Sequence, residues 1–265
     1  MASTTRSVTL PDGASTTLEQ WGTAGPVLLC VHGIASSRKS WVRTAEHFAT
    51  SYRVFAFDQR GHGDSAAVRG PMTLAQSVAD VAAVAAEIGE PVRALIGHSW
   101  GGAVVLLAAP VIGAGAVVAI DPMIHQAPGK WREDFVADLE PVLALPPEPR
   151  VDAIRAMFAG APPVEIEAKV HAMREMSTRA IVKLGEENAA DLGRWDLRVE
   201  LRRYPIPLLL LVADPAESVI AADDLVLVWE TLGPNGVIEV FEGEGHTLHR
   251  TAFARYVKAV GDFLG

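Results

Sequence analysis

The chain has 265 residues, and 49% hydrophobic against 21% charged residues suit one large domain, or a domain with an insertion, and exclude wholesale disorder. A formal net charge of −9 speaks against nucleic acid or an anionic membrane surface as a partner. The single cysteine, Cys30, excludes an internal disulfide; the polar residues 1–13 and the lack of any apolar run of ~18–20 residues predict no signal peptide, no membrane span and a cytoplasmic protein.

Residues 7–10 and 16–21 alternate as two strands around a turn at Pro11-Asp12-Gly13. The continuous apolar run 27–31 suits a strand buried on both faces of a parallel sheet, and it ends at His32-Gly33-Ile34. A helix is predicted over 38–49, with Trp41, Ala45 and Phe48 at helical spacing. A strand over 53–57 then ends at Asp58-Gln59-Arg60-Gly61-His62-Gly63-Asp64-Ser65. Thr73 is placed to cap a helix over 74–88, with Val78, Val81, Ala82 and Ala85 on one side. A strand over 92–96 leads into Gly97-His98-Ser99-Trp100-Gly101-Gly102, followed by a helix over 103–111 and a strand over 116–120 that ends at Asp121-Pro122.

From 123 to 204 no strand-like run occurs, and prolines punctuate helical segments at 130–143, 151–158 and 164–184. Alternation resumes with a strand at 207–212, a helix at 221–232, a strand at 237–241 and a helix at 252–264. This order predicts an α/β fold, a mostly parallel, twisted, eight-stranded sheet with helices on both faces. Residues 1–122 and 205–265 form its core. Residues 123–204 are a helical cap inserted between the sixth and seventh strands, over the carboxyl ends where ligands bind in open α/β sheets.

The chemistry centres on Gly97-x-Ser99-x-Gly101. A serine at a sharp strand-to-helix turn sits in a strained conformation with no room for side chains beside it, and glycine removes the Cβ that would clash. Its hydroxyl is exposed at the strand end, near a helix N-terminus whose free N–H groups suit a developing oxyanion.

Together, His32-Gly33, the segment from Asp58 to Ser65, the turn at Ser99 and Gly243-Glu244-Gly245-His246 resemble, in order and spacing, the α/β-hydrolase fold family over essentially the whole chain. The resemblance implies Ser99 as nucleophile and His246 as its base, with His249 the competitor. It implies the backbone N–H groups of Ile34 and Trp100 as the oxyanion hole. His98, His32 and His62 take structural roles beside these loops, while His47, His125 and His171 have no motif context. No histidine pair has metal-ligand spacing near a carboxylate or cysteine, so neither metal nor cofactor is expected.

The acid that orients His246 stays open. The usual Gly-x-x-Asp after the seventh strand is replaced by Ala213-Asp214-Pro215-Ala216, so Asp214 comes early and Glu217 late. Asp121, at the end of the strand before the cap, resembles the family's alternative placement and is the preferred candidate, with Asp214 and Glu217 behind it.

Serine at the turn implies an acyl-enzyme. The resemblance therefore excludes the epoxide hydrolases and haloalkane dehalogenases of this fold, which use aspartate there, and the dienelactone hydrolases, which use cysteine. Met123, Ile124, Trp131, Phe135, Met157, Phe158, Met173, Met176 and Trp195 give the cap an apolar supply, shared between core and pocket. No basic cluster indicates a phosphorylated carrier. The expected partner is a fairly hydrophobic small-molecule ester or lactone, with a homodimer left open. The alternatives are C–C bond, amide or perhydrolase chemistry on the same triad, and a non-catalytic small-ligand receptor of the same fold.

Overall fold

The computed structural model describes residues 2–67, 70–126, 136–189 and 195–265. Eight strands form one sheet in the order β1-β2-β4-β3-β5-β6-β7-β8. They are β1 (Ser3–Thr9), β2 (Ser15–Trp21), β3 (Val27–Val31), β4 (Arg53–Phe57), β5 (Val92–His98), β6 (Val117–Ile120), β7 (Leu208–Ala213) and β8 (Gly236–Phe241). β1 and β2 are antiparallel to each other, and β2 to β4; every other pairing is parallel.

β3, β6 and β7 are apolar at every position because both faces are covered, as the run 27–31 predicts for β3. The two-residue period of a strand sends alternate side chains to opposite faces. Leu29, Val31, Leu95, Val117 and Leu210 join the larger core cluster with the helices α2 (Leu74–Ile88) and α3 (Trp100–Ile112). Leu28, Cys30, Ile96, Val118 and Leu211 point the other way, onto α1 (Val42–Phe48) and the last helix. Cys30 is fully buried there, and burial pushes its thiol well above the ordinary range, so it is an inert packing residue.

Local boundaries shift in ways the side chains explain. The predicted helix 38–49 opens as a one-turn 3₁₀ helix, Arg38–Trp41, before α1. Thr73 caps α2 as predicted, its hydroxyl accepting the Gln76 N–H at 3.1 Å. The buried face of α2 differs: it holds Leu74, Ser77, Asp80, Val81 and Val84, because Asp80 is drawn inward to the Arg60 guanidinium at 2.7 Å.

Between β6 and β7 lie α4 (Ala137–Leu143), α5 (Pro147–Met157), α6 (Pro163–Met173) and α7 (Thr178–Ala189). Trp131, Phe135 and the first part of the helix predicted over 130–143 fall outside the described residues. The single helix predicted over 164–184 is two. Arg150 takes the carbonyls that would continue α6, donating to Arg174 O at 2.9 Å and Met176 O at 2.8 Å. Ser177 Oγ then accepts the Ala180 N–H at 3.2 Å and starts α7. Met123, Ile124, Met173, Met176 and Trp195 are buried core, whereas Met157 is exposed.

After β7 come α8 (Ala222–Thr231), and after β8 the short α9 (Leu248–Thr251) and α10 (Phe253–Leu264). Among the described residues no helix is long and apolar enough to cross a membrane.

Candidate active site

Ser99 joins β5 to α3 with φ 56° and ψ −119°, a conformation that costs a non-glycine residue about 1–3 kcal/mol. Of the four non-glycine residues with positive φ among the described residues, Ser99, Asp121 and Ala35 lie in this region. The turn closes only because its neighbours are glycines. A Cβ on Gly97 would lie 2.3 Å from Gly101 O, one on Gly101 2.2 Å from Val31 O, and one on Gly102 2.7 Å from the Pro122 Cβ. The Ser99 N–H donates to Ile120 O at 2.9 Å, fixing the turn to the end of β6.

The loop after β3 runs directly over the serine, where a Cβ on Gly33 would meet the Ser99 Cβ at 2.9 Å. His32 holds this loop. Its Nδ1 lies 2.7 Å from Gly33 O and its Nε2 accepts the Gln59 N–H at 3.0 Å. Burial, then the nearby His62, pushes the His32 ring down to about 3, so it is a neutral structural link. Ile34 follows Gly33 and Trp100 follows Ser99. Among the described residues, no turn, loop or cap hydrogen bond uses either N–H. Trp100 heads α3, where a backbone donor has no partner within the helix.

Asp121 is fully buried at the end of β6, and the structure distinguishes it from the other two candidate acids. Its Oδ1 accepts the Ala213 N–H at 3.1 Å and the Ser218 hydroxyl at 2.6 Å. Its Oδ2 accepts the Val219 N–H at 3.1 Å and His246 Nδ1 at 2.6 Å. With Nδ1–H donated to the carboxylate, neutral His246 carries its lone pair on Nε2. Asp214 instead accepts the N–H groups of Ala216 at 3.0 Å and Gly243 at 2.8 Å; those bonds hold its carboxyl below the usual carboxylate range and tie the loops after β7 and β8 together. Glu217 is exposed. Ser218 and the two backbone donors had no signal in the sequence, because only the path of the loop after β7 brings them to Asp121. Among the described residues, no hydrogen bond joins Ser99 to the His246 ring.

His249, the competing base, is 2% exposed and its ring packs 4.4 Å from His98 and 5.3 Å from Trp41. His98 lies between His249 and His246, with ring centroids 4.6 Å apart on the latter side, and its Nε2 is 2.9 Å from His246 O. Burial, first, and the neighbouring rings and Arg250 push both His98 and His249 well below the ordinary imidazole range. They are neutral packing rings behind His246. His47 packs on Phe48 and Phe253, and His125 pairs with Asp224 at 3.1 Å.

A second buried carboxylate, Asp58, ends β4. It accepts the Arg38 N–H at 2.8 Å and the Asp64 N–H at 3.0 Å, and is paired with the Arg38 guanidinium. His171 of α6 lies 3.3 Å from Asp58 and 3.0 Å from Arg38 Nη1. Burial works to raise the Asp58 carboxyl, but the His171 contact and the Arg38 charge outweigh it and hold the carboxyl well below the usual range. Asp58, Asp64 and His171 have the proximity of metal ligands, a grouping the sequence does not reveal. The Arg38 guanidinium already occupies it, 2.9 Å from Asp64, and places a positive charge where a cation would go.

The structure also brings together a basic group that the sequence does not reveal. Arg43, Lys169 and Arg250, far apart in sequence, line one cavity of about 460 Å³ with Glu165, Phe158 and Thr247. A larger cleft of about 780 Å³, among Arg202, Tyr204, Glu230 and Asn235, lies by the amino ends of β7 and β8, away from Ser99.

Residues 28–259 match the model of the alpha/beta hydrolase family. The chain is 30% identical over 157 residues to the lipase LipV of Mycobacterium tuberculosis, a match covering 58% of this chain and 59% of that protein. It is 27% identical to a non-heme haloperoxidase of Rhodococcus erythropolis, over 90% of this chain and 92% of the relative. Among solved structures, E-2-(acetamidomethylene)succinate hydrolase superposes with a TM-score of 0.80 at 19% identity, covering 99% of both chains. The chain belongs to the alpha/beta hydrolase family.

Proposed function

We propose that this alpha/beta hydrolase is a cofactor-free serine hydrolase that cleaves a carboxylic ester or lactone of a fairly hydrophobic small molecule. The observation that carries this reading is the 2.6 Å contact between His246 Nδ1 and the buried Asp121, at the strand ends beside the strained Ser99 turn. Ser99 Oγ attacks the carbonyl carbon while His246 Nε2 takes the hydroxyl proton. The N–H groups of Ile34 and Trp100 stabilise the oxyanion. His246 returns the proton to the leaving alcohol, and the acyl group stays on Ser99. Water, deprotonated by His246, then releases the acid. Asp121 fixes the ring and stabilises the imidazolium. Its four hydrogen bonds leave one orientation for the carboxylate, and so one for the ring. In this mechanism the hydrogen bond between Ser99 Oγ and His246 Nε2 forms when substrate is bound.

Residues 123–204 act as a cap over this site. The contact that supports this is Trp195, whose ring meets Trp100 edge-on at 5.0 Å and whose Nε1–H donates to Met123 O at 3.0 Å. A second reading, perhydrolysis, is favoured by the haloperoxidase relative. There, hydrogen peroxide replaces water as the acceptor of the acyl group, on the same residues.

The test is hydrolysis of a chain-length series of p-nitrophenyl esters by the wild type and Ser99→Ala. Loss of at least about 10⁴-fold in kcat for Ser99→Ala is expected, with Ser99 labelled by a fluorophosphonate in the wild type. Neither turnover nor labelling would favour a small-ligand receptor.

A further inference from the structure

We propose that the cavity beside Thr247 binds a free carboxylate of the substrate, so that the ester or lactone cleaved here carries a second, anionic group. The inference rests on the serine-hydrolase reading and narrows its substrate class.

Three cationic side chains face this cavity and one carboxylate answers them. Glu165 reaches Arg43 Nη1 and Arg250 Nε, both at 3.4 Å, longer than the roughly 2.7–2.9 Å of a strong charge-assisted hydrogen bond. Arg250 is otherwise held by Ser36 Oγ at 3.1 Å, and its side chain is 10% exposed. Lys169 Nζ donates to the neutral carbonyl of Ala35 at 3.2 Å, and its other face lies 5.1 Å from the Phe158 ring. Among the described residues no carboxylate comes within ion-pair distance of Lys169, whose ammonium has three donors. A positive charge in partial burial without a directly paired anion is a costly arrangement. A ligand carboxylate relieves it.

The cavity also stands in the right place. Thr247, in its wall, directly follows His246, and the Ala35 carbonyl held by Lys169 belongs to the residue after Ile34. Consecutive Cα atoms are about 3.8 Å apart, so the cationic wall begins one residue from the base and one residue from a proposed oxyanion donor. Phe158, which lines the cavity beside Lys169, supplies apolar surface for the acyl chain that carries the carboxylate.

Lys169 makes the site sensitive to pH. Burial, then the Arg250 charge, pushes its ammonium down to about 7, with Glu165 working in the opposite direction. Arg43 of α1, His62 of the loop after β4, and His249 and Arg250 of α9 face it from the packed elements, with Glu165 on its own helix. An anion favours the charged form. The contribution of Lys169 to binding is therefore present below about pH 7 and lost above it. KM for an anionic ester rises through that range and KM for a neutral ester does not.

The experiment compares mono-4-nitrophenyl glutarate with its methyl ester, on wild type, Lys169→Met and Lys169→Arg. Lys169 also anchors Ala35, so Lys169→Met alters the rate on both esters, and the ratio of the two kcat/KM values reads the anion site alone. The expected ratio is about tenfold in favour of the anion in the wild type, near one in Lys169→Met and largely restored in Lys169→Arg. A ratio near one in a wild type that hydrolyses the neutral ester through Ser99 overturns the inference and leaves the serine mechanism standing. If neither ester is turned over and Ser99 is not labelled, the mechanism fails. Calorimetric titration with glutarate then decides the cavity: binding about tenfold weaker in Lys169→Met supports an anion site, and equal or absent binding in the two proteins rejects it.

Discussion

Asp58 at the end of β4 and Asp121 at the end of β6 start from the same situation. Each is fully buried, each accepts backbone N–H groups, and each faces a histidine. Asp58 has Arg38 as well, and a permanent cation uses up its charge. His171 is then a secondary neighbour at 3.3 Å. Among the described residues, the hydrogen-bond partners of Asp121 besides His246 at 2.6 Å are two backbone N–H groups and one hydroxyl. Its charge is still available to an imidazolium that forms during a reaction. The difference isolates one variable: both carboxylates are buried beside a histidine, and Asp58 alone of the two carries a fixed counter-ion; in the proposed mechanism that leaves Asp121 to answer the imidazolium.

Making the same substitution at both positions tests this most severely. Asp121→Asn is expected to lower kcat on p-nitrophenyl esters by about 10⁴-fold while the protein stays folded. An equal loss in kcat from Asp58→Asn would break the comparison. Asp58→Asn is expected instead to cost about 3–5 kcal/mol of stability, because it removes one partner of a buried ion pair, read as a lower urea midpoint with much of the activity kept in the folded protein.

Acid titration sharpens the contrast. The Asp58 carboxyl is held below its unfolded value of about 3.9, so its contribution is present above that pH and is lost as pH falls through the folded value. Unfolding followed by circular dichroism should show wild-type stability declining below about pH 4, with a shallower slope in Asp58→Asn. The smallest effect belongs to Asp214→Asn, whose carboxylate serves exposed loop N–H groups. Its kcat is expected to stay within about threefold of wild type. A loss matching that of Asp121→Asn would move the acid role to Asp214.

The alternation of apolar runs and helical segments makes the eight strands legible in the sequence, most sharply at β3, β6 and β7, which are buried on both faces and have no polar positions to blur them; the order of the strands across the sheet is not legible. Glycines 97, 101 and 102 are legible for a similar reason: each marks a contact too close for a Cβ. The choice among Asp121, Asp214 and Glu217 is not, since all three follow a strand. It depends on a loop that turns the Ser218 hydroxyl and the Val219 N–H toward β6. The cationic cavity is illegible too. Arg43, Lys169 and Arg250 come from α1, α6 and α9, and no local pattern announces that the fold brings them together. The break between α6 and α7 hides in the same way, since Arg150, which causes it, lies in α5.

That arginine has a wider consequence. Its guanidinium also donates to Leu143 O, at the end of α4, and to Leu145 O at 3.1 Å. One side chain thus ties together the carboxyl ends of two helices and the link between them. Local opening of any of these segments must release the others, so amide hydrogens of α4 and α6 should exchange with solvent as one cooperative unit at a shared free energy, not as independently fraying helices. In Arg150→Leu the shared exchange should split into separate, faster classes. The core strands β5 to β7, to which Arg150 makes no hydrogen bond among the described residues, should keep their protection.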